Sequence, residues 1–164
     1  MTAQSEAFAA QAGSDLDAYN LLAASPLPSS HRLHYLQMWL EKLCKAYLWL
    51  PDAAADDLRI KHNVVDKVLP RIISEHWRRI GFTQRPDISS LRMLCREIDR
   101  LHPQVDDNGR RPDNVEYPWI GVSGNAEVPA HWNFPLVKRL YSNSGRLLLK
   151  AAVSLTRTPA AFTQ

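Results

Sequence analysis

Residues 33–50 read LHYLQMWLEKLCKAYLWL, and the fold turns on how few of them are polar. His34, Gln37, Glu41 and Lys45 fall three or four residues apart, so on a helix they form one narrow stripe, with Lys42 beside it. The remaining positions are Leu, Met, Trp, Tyr, Ala and Cys. A helix apolar over most of its circumference has to be covered on several sides. That places it at the centre of a bundle, or between a bundle and a partner chain. Glu41 precedes Lys45 by four residues, the favourable order for a surface pair worth roughly 0.2–0.5 kcal/mol.

Working outward, SPLPSS at 25–30 cannot continue a helix, because Pro26 and Pro28 remove backbone donors. Ser29 or Ser30 then caps the central helix, and Pro51 ends it. Upstream, residues 1–13 are small and polar and read as a flexible tail. Asp15 or Ser14 caps a first helix through Leu16, Tyr19, Leu22 and Ala23. Downstream, Asn63 caps a third helix with Val64, Val65, Val68, Leu69, Ile72, Ile73, His76, Trp77 and Ile80 on one face. Pro70 inside that pattern predicts a kink or two helices, and Gly81 closes it. Pro86–Asp87 opens a fourth helix with Leu91, Leu94, Cys95, Ile98 and Leu101 inward, stopped by Pro103.

Residues 103–133 differ. Pro103, Gly109, Pro112, Pro118, Gly121, Gly124 and Pro129 punctuate them, and connections this long are uncommon unless functional or mobile. The last helix starts at Pro135, a favoured first-turn residue. It buries Leu136, Val137, Leu140, Leu147, Leu148, Ala151, Ala152 and Leu155, with Gly145 costing about 1 kcal/mol relative to Ala. No stretch alternates with period two. The expectation is an all-α protein, an antiparallel bundle of about five helices with one long loop before the last. Residues 14–157 make one domain, and 158–164 fray.

The totals fit this. The 164 residues are 45% hydrophobic and 23% charged, with a formal net charge of +3, enough for one domain with a core. Glu41, Lys42 and Lys45 interrupt the best apolar run, so no membrane span is expected. The first residues lack a basic region followed by an apolar stretch. Cys44 and Cys95 fall on apolar faces and read as core thiols in a reducing compartment. Together these point to the cytoplasm.

The central helix, followed by KHNVVDKVLPRII (61–73) and by NVEYPW (114–119) before a long final helix, resembles the HEPN family. The family's second helix carries a Glu-Lys and a Lys-Ala, matched here by Glu41–Lys42 and Lys45–Ala46, and the likeness covers residues 15–155. The resemblance implies a helical bundle, often a homodimer, of the kind found in bacterial toxin–antitoxin and defence loci beside nucleotidyltransferases. Some members are metal-independent ribonucleases using Arg-x(4–6)-His. Others bind nucleotide or protein and cut nothing.

Two stretches match that spacing: Arg71 to His76 and Arg96 to His102. A His near its ordinary pKa of about 6.5 can move a proton at a ribose hydroxyl, and an Arg can hold the phosphate. Yet with 14 Arg and six His in the chain, chance alone supplies about as many matches. His76 shares the apolar face of its helix and reads as a core histidine. His102 ends a helix beside the loop, where its ordinary role is a cation facing the helix dipole. Arg96 and His102 are the preferred catalytic pair, Arg71 and His76 the second.

Residues 71–100 hold seven Arg, no Lys and four acids. Arg92, Arg96 and Arg100 stand at i, i+4 and i+8, a candidate RNA-binding track since Arg engages phosphate bidentately. Its ordinary reading is a solvated face paired with Glu97 and Asp99. Trp77 and Trp119 are candidates for base stacking and, more commonly, for core. His31 and His34 lack partners to complete a metal set. No Gly-rich phosphate loop, His-Glu-x-x-His or Gly-x-Ser-x-Gly appears, and no cofactor is expected. The sequence thus favours a HEPN-like module that dimerises and engages RNA or a protein partner, such as a nucleotidyltransferase, without catalysis. The alternatives are a metal-independent endoribonuclease and a structural adaptor outside the family.

Overall fold

A computed structural model describes residues 2–48, 61–106 and 111–159. The expected stop at Pro51, most of the linker after it, and the end of the expected frayed tail lie outside them. The described chain is an all-α bundle: α1 (Ala3–Ala23), α2 (Ser29–Leu48), α3 (Val65–His76), α4 (Ile88–Asp99), α5 (Pro135–Leu140) and α6 (Asn143–Arg157). A two-stranded antiparallel ribbon, β1 (Trp119–Ile120) and β2 (Ala126–Glu127), stands in the loop before α5. No described helix is long and apolar enough to cross a membrane.

α2 is the axis of the bundle. Leu33, Leu36, Trp39, Leu40, Leu43, Cys44 and Ala46 are all buried within this one chain. α1 runs antiparallel along it. The Ser5 hydroxyl donates to the Ala46 carbonyl at 2.7 Å, near one end of the hairpin, and Tyr19 packs on Trp39 nearer the other. α6 covers another side, where the Trp39 indole donates to Thr156 Oγ1 at 2.8 Å and the Tyr47 hydroxyl to the Leu155 carbonyl at 3.1 Å. Of the two expected settings for α2, the centre of its own bundle is the one observed. The core also takes in both cysteines as free, buried thiols.

Five local expectations need correcting. The tail expected over residues 1–13 is helix from Ala3. Thr2 caps it through Oγ1 to the Ser5 N–H, and Ser5 and Ala12 are buried. Asp15, expected as a cap, therefore lies in mid-helix, buried and bonded to Gln11. Asn63 does not cap α3; its N-cap is Val64, with no side-chain bond. Pro70 does not divide α3, which stays one helix with Pro70 buried inside it, although the ring withdraws the donor that would meet the Asp66 carbonyl. The last helix is broken instead, into α5 and α6 at Tyr141–Ser142. Gly145 belongs to that corner: a Cβ there would sit 2.3 Å from the Arg139 carbonyl oxygen.

Other signals lie where expected. α3 ends at His76, short of the expected Ile80, and a turn carries the chain on to Gly81 (φ 89°), whose N–H meets the Arg78 carbonyl while the Phe82 N–H reaches the Trp77 carbonyl. This is the two-bond glycine stop that satisfies a helix's last carbonyls. Asp87 caps α4, accepting from the Ser89 and Ser90 amides. All five expected inward residues of α4 are buried.

Candidate functional site

The polar stripe of α2 is not a surface. Gln37, Glu41 and Lys45 are 0%, 2% and 2% exposed, which corrects the expected surface pair. The residues compensate one another. Lys45 Nζ donates to Glu41 Oε1 at 2.6 Å, and Gln37 Nε2 donates to Glu41 Oε2 at 2.7 Å. Lys42 Nζ adds an ion pair to Glu41 Oε1 at 3.8 Å. Burial alone would raise the Glu41 carboxyl. The Lys45 bond, the Lys42 and Lys45 charges and the Gln37 bond outweigh it and hold the pKa below the ordinary value, so the carboxylate stays ionised. Burial pulls the Lys42 ammonium the other way, below the ordinary lysine range.

This stripe floors a cleft of about 370 Å³ lined by Phe8, His34, Met38, Glu41, Lys42, Lys45, His62, His102 and Glu116. Each wall has a local cause. Phe8 arrives because α1 begins early enough to pack along α2. His62 precedes α3 and sets Nδ1 3.3 Å from Glu41 Oε2. His102 follows α4, and its ring lies on that of His62 with centroids 3.7 Å apart and planes 9° from parallel. Glu116 reaches His34 Nδ1 at 3.5 Å. Buried Asn114 arranges the Glu116 segment: its Oδ1 accepts from the Glu116 and Tyr117 amides, and its Nδ2 donates to the Tyr117 carbonyl at 2.8 Å.

His102 is not the dipole-facing cation expected from sequence. Burial, then the neighbouring His62, lowers its pKa to about 4, so it is neutral at ordinary pH. The Gln104 amide donates to its Nδ1 at 3.2 Å, which leaves the proton on Nε2. His62 has the opposite orientation: the Glu41 carboxylate accepts from Nδ1, leaving Nε2 as the nitrogen that can take a proton. A carboxylate that orients an imidazole is the usual arrangement for acid–base work.

Glu41, His62 and His102 also bring one ligand atom each within 4.8 Å of the others, a set the sequence reading did not propose. A shared ion needs lone pairs that converge at about 2.0–2.1 Å. Rings stacked 9° from parallel with centroids 3.7 Å apart hold theirs in separate planes. His102 Nδ1 is already an acceptor, and Lys45 and Lys42 flank the same carboxylate. The donor set fits hydrogen bonding and proton transfer better than a resident ion.

The sequence-derived pairs are not brought into this cleft. His102 lines it, while Arg96 is exposed and does not. Arg71 is exposed and pairs with Glu75 at 3.9 Å. His76, expected in the core, is only half-buried. On the arginine face Arg92 and Arg96 are exposed, whereas Arg100 is half-buried and pairs with Asp106 at 3.6 Å. Arg100 also lines a second cavity of about 230 Å³ with Glu97, Asp113 and Arg139, where Arg139 and Glu97 are ion-paired. Trp119 is buried edge-on against Trp132, and Trp77 is half-buried under the Arg78 guanidinium.

Sequence reasoning missed His62, Glu116, Phe8 and Lys42 as site residues. The available signal was the mixed sign of the α2 stripe. No family model matches the chain, and no curated protein or solved structure matches it either. The functional reading therefore rests on the residues themselves.

Proposed function

We propose that this chain is a HEPN-like helical module that acts by binding, and that the α2 cleft is where it engages RNA. One observation carries the reading: the cleft is assembled in advance. Lys45 holds Glu41 at 2.6 Å, so Lys42, whose own contact with that carboxylate is the longer one at 3.8 Å, can turn its ammonium to a phosphate, and the Nε2 proton of His102 can meet a base edge. Phe8 and the imidazole stack supply flat surface for a base. The exposed Arg92 and Arg96 add sequence-independent attraction. The resemblance brings further expectations: membership of a bacterial toxin–antitoxin or defence system, a homodimer, and a protein partner of the nucleotidyltransferase type.

Titrating labelled single-stranded RNA with the protein in EDTA tests binding. Lys42→Ala is expected to weaken it at least several-fold with the fold intact. Unchanged affinity would move the interface off the cleft. A protein partner that binds where RNA does not would keep the module and change its ligand.

A specific observation favours a second reading, the metal-independent endoribonuclease. It is the Glu41-oriented imidazole of His62. If RNA is cut in EDTA, the cutting is expected to vanish in His62→Ala and to survive Arg96→Ala. The reverse result would restore the Arg96 and His102 pair.

A further inference from the structure

The two stacked imidazoles lie outside the helices, one just before α3 and the other just after α4. His62 stands three residues before Val65, where α3 begins, and His102 three residues after Asp99, where α4 ends. Asp99 bridges these roots. Its Oδ1 accepts from the Val65 N–H at 3.0 Å and its Oδ2 from the Asp66 N–H at 2.9 Å. α3 has no side-chain cap of its own, so the end of one helix supplies the cap for the start of another. Asp99 is buried at 2% exposure, so the carboxyl is withdrawn from bulk solvent.

We propose that Asp99 is the positioning residue of the cleft: clamped across the first amides of α3, its carboxylate sets the register in which His62 lies on His102 beside Glu41. An ordinary cap serves α3 from any direction. This one approaches from the segment that carries the second imidazole, so it fixes a distance between two loops as well as a helix end.

The groups facing Asp99 sharpen the test. Asp66 faces it from α3, Cys44 from α2, and Cys95 lies on α4 itself. Burial, above all, raises the Asp99 carboxyl to about 7; the two amides oppose the rise and Asp66 adds to it. Deprotonation near neutral pH therefore strengthens the two amide bonds while placing a negative charge beside Asp66. His102, with its pKa near 4, does not titrate in that range, but His62, Glu41, Lys42 and Lys45 face its ring, so a ring inflection is assigned to Asp99 only where it coincides with the midpoint of the Asp99 carboxyl carbon.

The inference rests on the cleft reading only for its consequence. The experiment needs no ligand, so RNA that fails to bind defeats the proposed function and leaves the clamp standing. The probes are the NMR ring signals of His102 and the side-chain carboxyl carbon of Asp99, followed against pH. In the wild type the His102 ring is expected to show stacking shifts and an inflection with the Asp99 midpoint. Asp99→Asn removes the titrating carboxyl and leaves one acceptor for the two amides, so it is expected to abolish that inflection and to weaken the stacking shifts. Asp99→Ala is expected to lose the stacking shifts while helical circular dichroism persists. Adding Val64→Thr, a near-isosteric local cap, is expected to recover melting temperature without recovering the stack. A stack that survives in folded Asp99→Ala, or returns with Val64→Thr, would reduce Asp99 to a helix cap and overturn the proposal. If Asp99→Ala does not fold, the asparagine variant decides: stacking shifts unchanged from the wild type there, or an inflection retained at the wild-type Asp99 midpoint, overturns it equally.

Discussion

Two polar stripes in this molecule have the same spacing and opposite fates. Gln37, Glu41 and Lys45 on α2 stand at i, i+4 and i+8 and are buried. Arg92, Arg96 and Arg100 on α4 stand at i, i+4 and i+8, and the first two are exposed. Helical period places each set on one face and says nothing about which face is wet. Composition decides that. An amide, a carboxylate and an ammonium compensate one another inside the stripe, so α1, the segments carrying His62 and His102 and the loop before α5 can close over them. Three guanidinium groups cannot neutralise each other, and burying them together would leave uncompensated charge.

The contrast breaks most sharply at Lys45. Lys45→Met leaves a 2%-exposed carboxylate without its ammonium, and losing one partner of a buried pair costs about 3–5 kcal/mol. Urea denaturation measures it. Glu41→Leu with Lys45→Met is expected to recover much of the loss, because removing both charges also removes the desolvation penalty. Arg96→Met on the other stripe is expected to stay within about 0.5 kcal/mol of wild type. Equal costs on the two stripes would erase the distinction.

That distinction was partly legible in the sequence. The apolar circumference of α2 required a bundle, and Asp87, Gly81 and Pro135 marked helix ends that the structure keeps. Three features were not legible. The first half of the N-terminal helix, before the predicted stretch at Leu16–Ala23, has a weak apolar pattern and is held by Ser5 and Ala12, small residues whose burial depends on α2 being there to receive them. Asp99 looked like a partner for the arginine track, because nothing local announces that it caps a helix more than thirty positions away. His62 had no periodic signal, since it precedes α3 and acquires meaning only when Glu41 and His102 meet it. Tertiary partners at long sequence separation lie beyond what spacing can report.

Two aspartate caps extend the comparison of buried and exposed charge into pH. For Asp99, the folded value near 7 lies above the ordinary 3.8, so the folded state binds more protons between the two. Its contribution is fully present below about pH 4 and is lost as pH rises through 7, on the order of a few kcal/mol. For exposed Asp87, hydrogen bonds from Ser90 and Ser89 lower the value to about 2. Its contribution is present above about pH 4 and is lost as pH falls through 2. Thermal melts of Asp99→Asn and Asp87→Asn against pH check both signs. The first is expected to flatten the decline in stability between pH 5 and 8, and the second to leave that range unaltered.

The smallest expected effect concerns the arginine stripe and appears in binding rather than stability. Arg92→Ala and Arg96→Ala remove exposed side chains and are expected to leave the melting temperature nearly unchanged. If single-stranded RNA runs along this face, each substitution removes a phosphate contact. The slope of log K against log salt then becomes shallower by about 0.7 per contact. Arg100→Ala is expected to change the slope less, because Arg100 already pairs with Asp106 at 3.6 Å and must surrender that partner to hold a phosphate. Equal slope changes at all three positions would show that the Asp106 pair gives way readily to RNA. No change at Arg92 and Arg96, with Lys42→Ala still impairing binding, would confine recognition to the buried-floored cleft and leave the outer stripe as solvated surface.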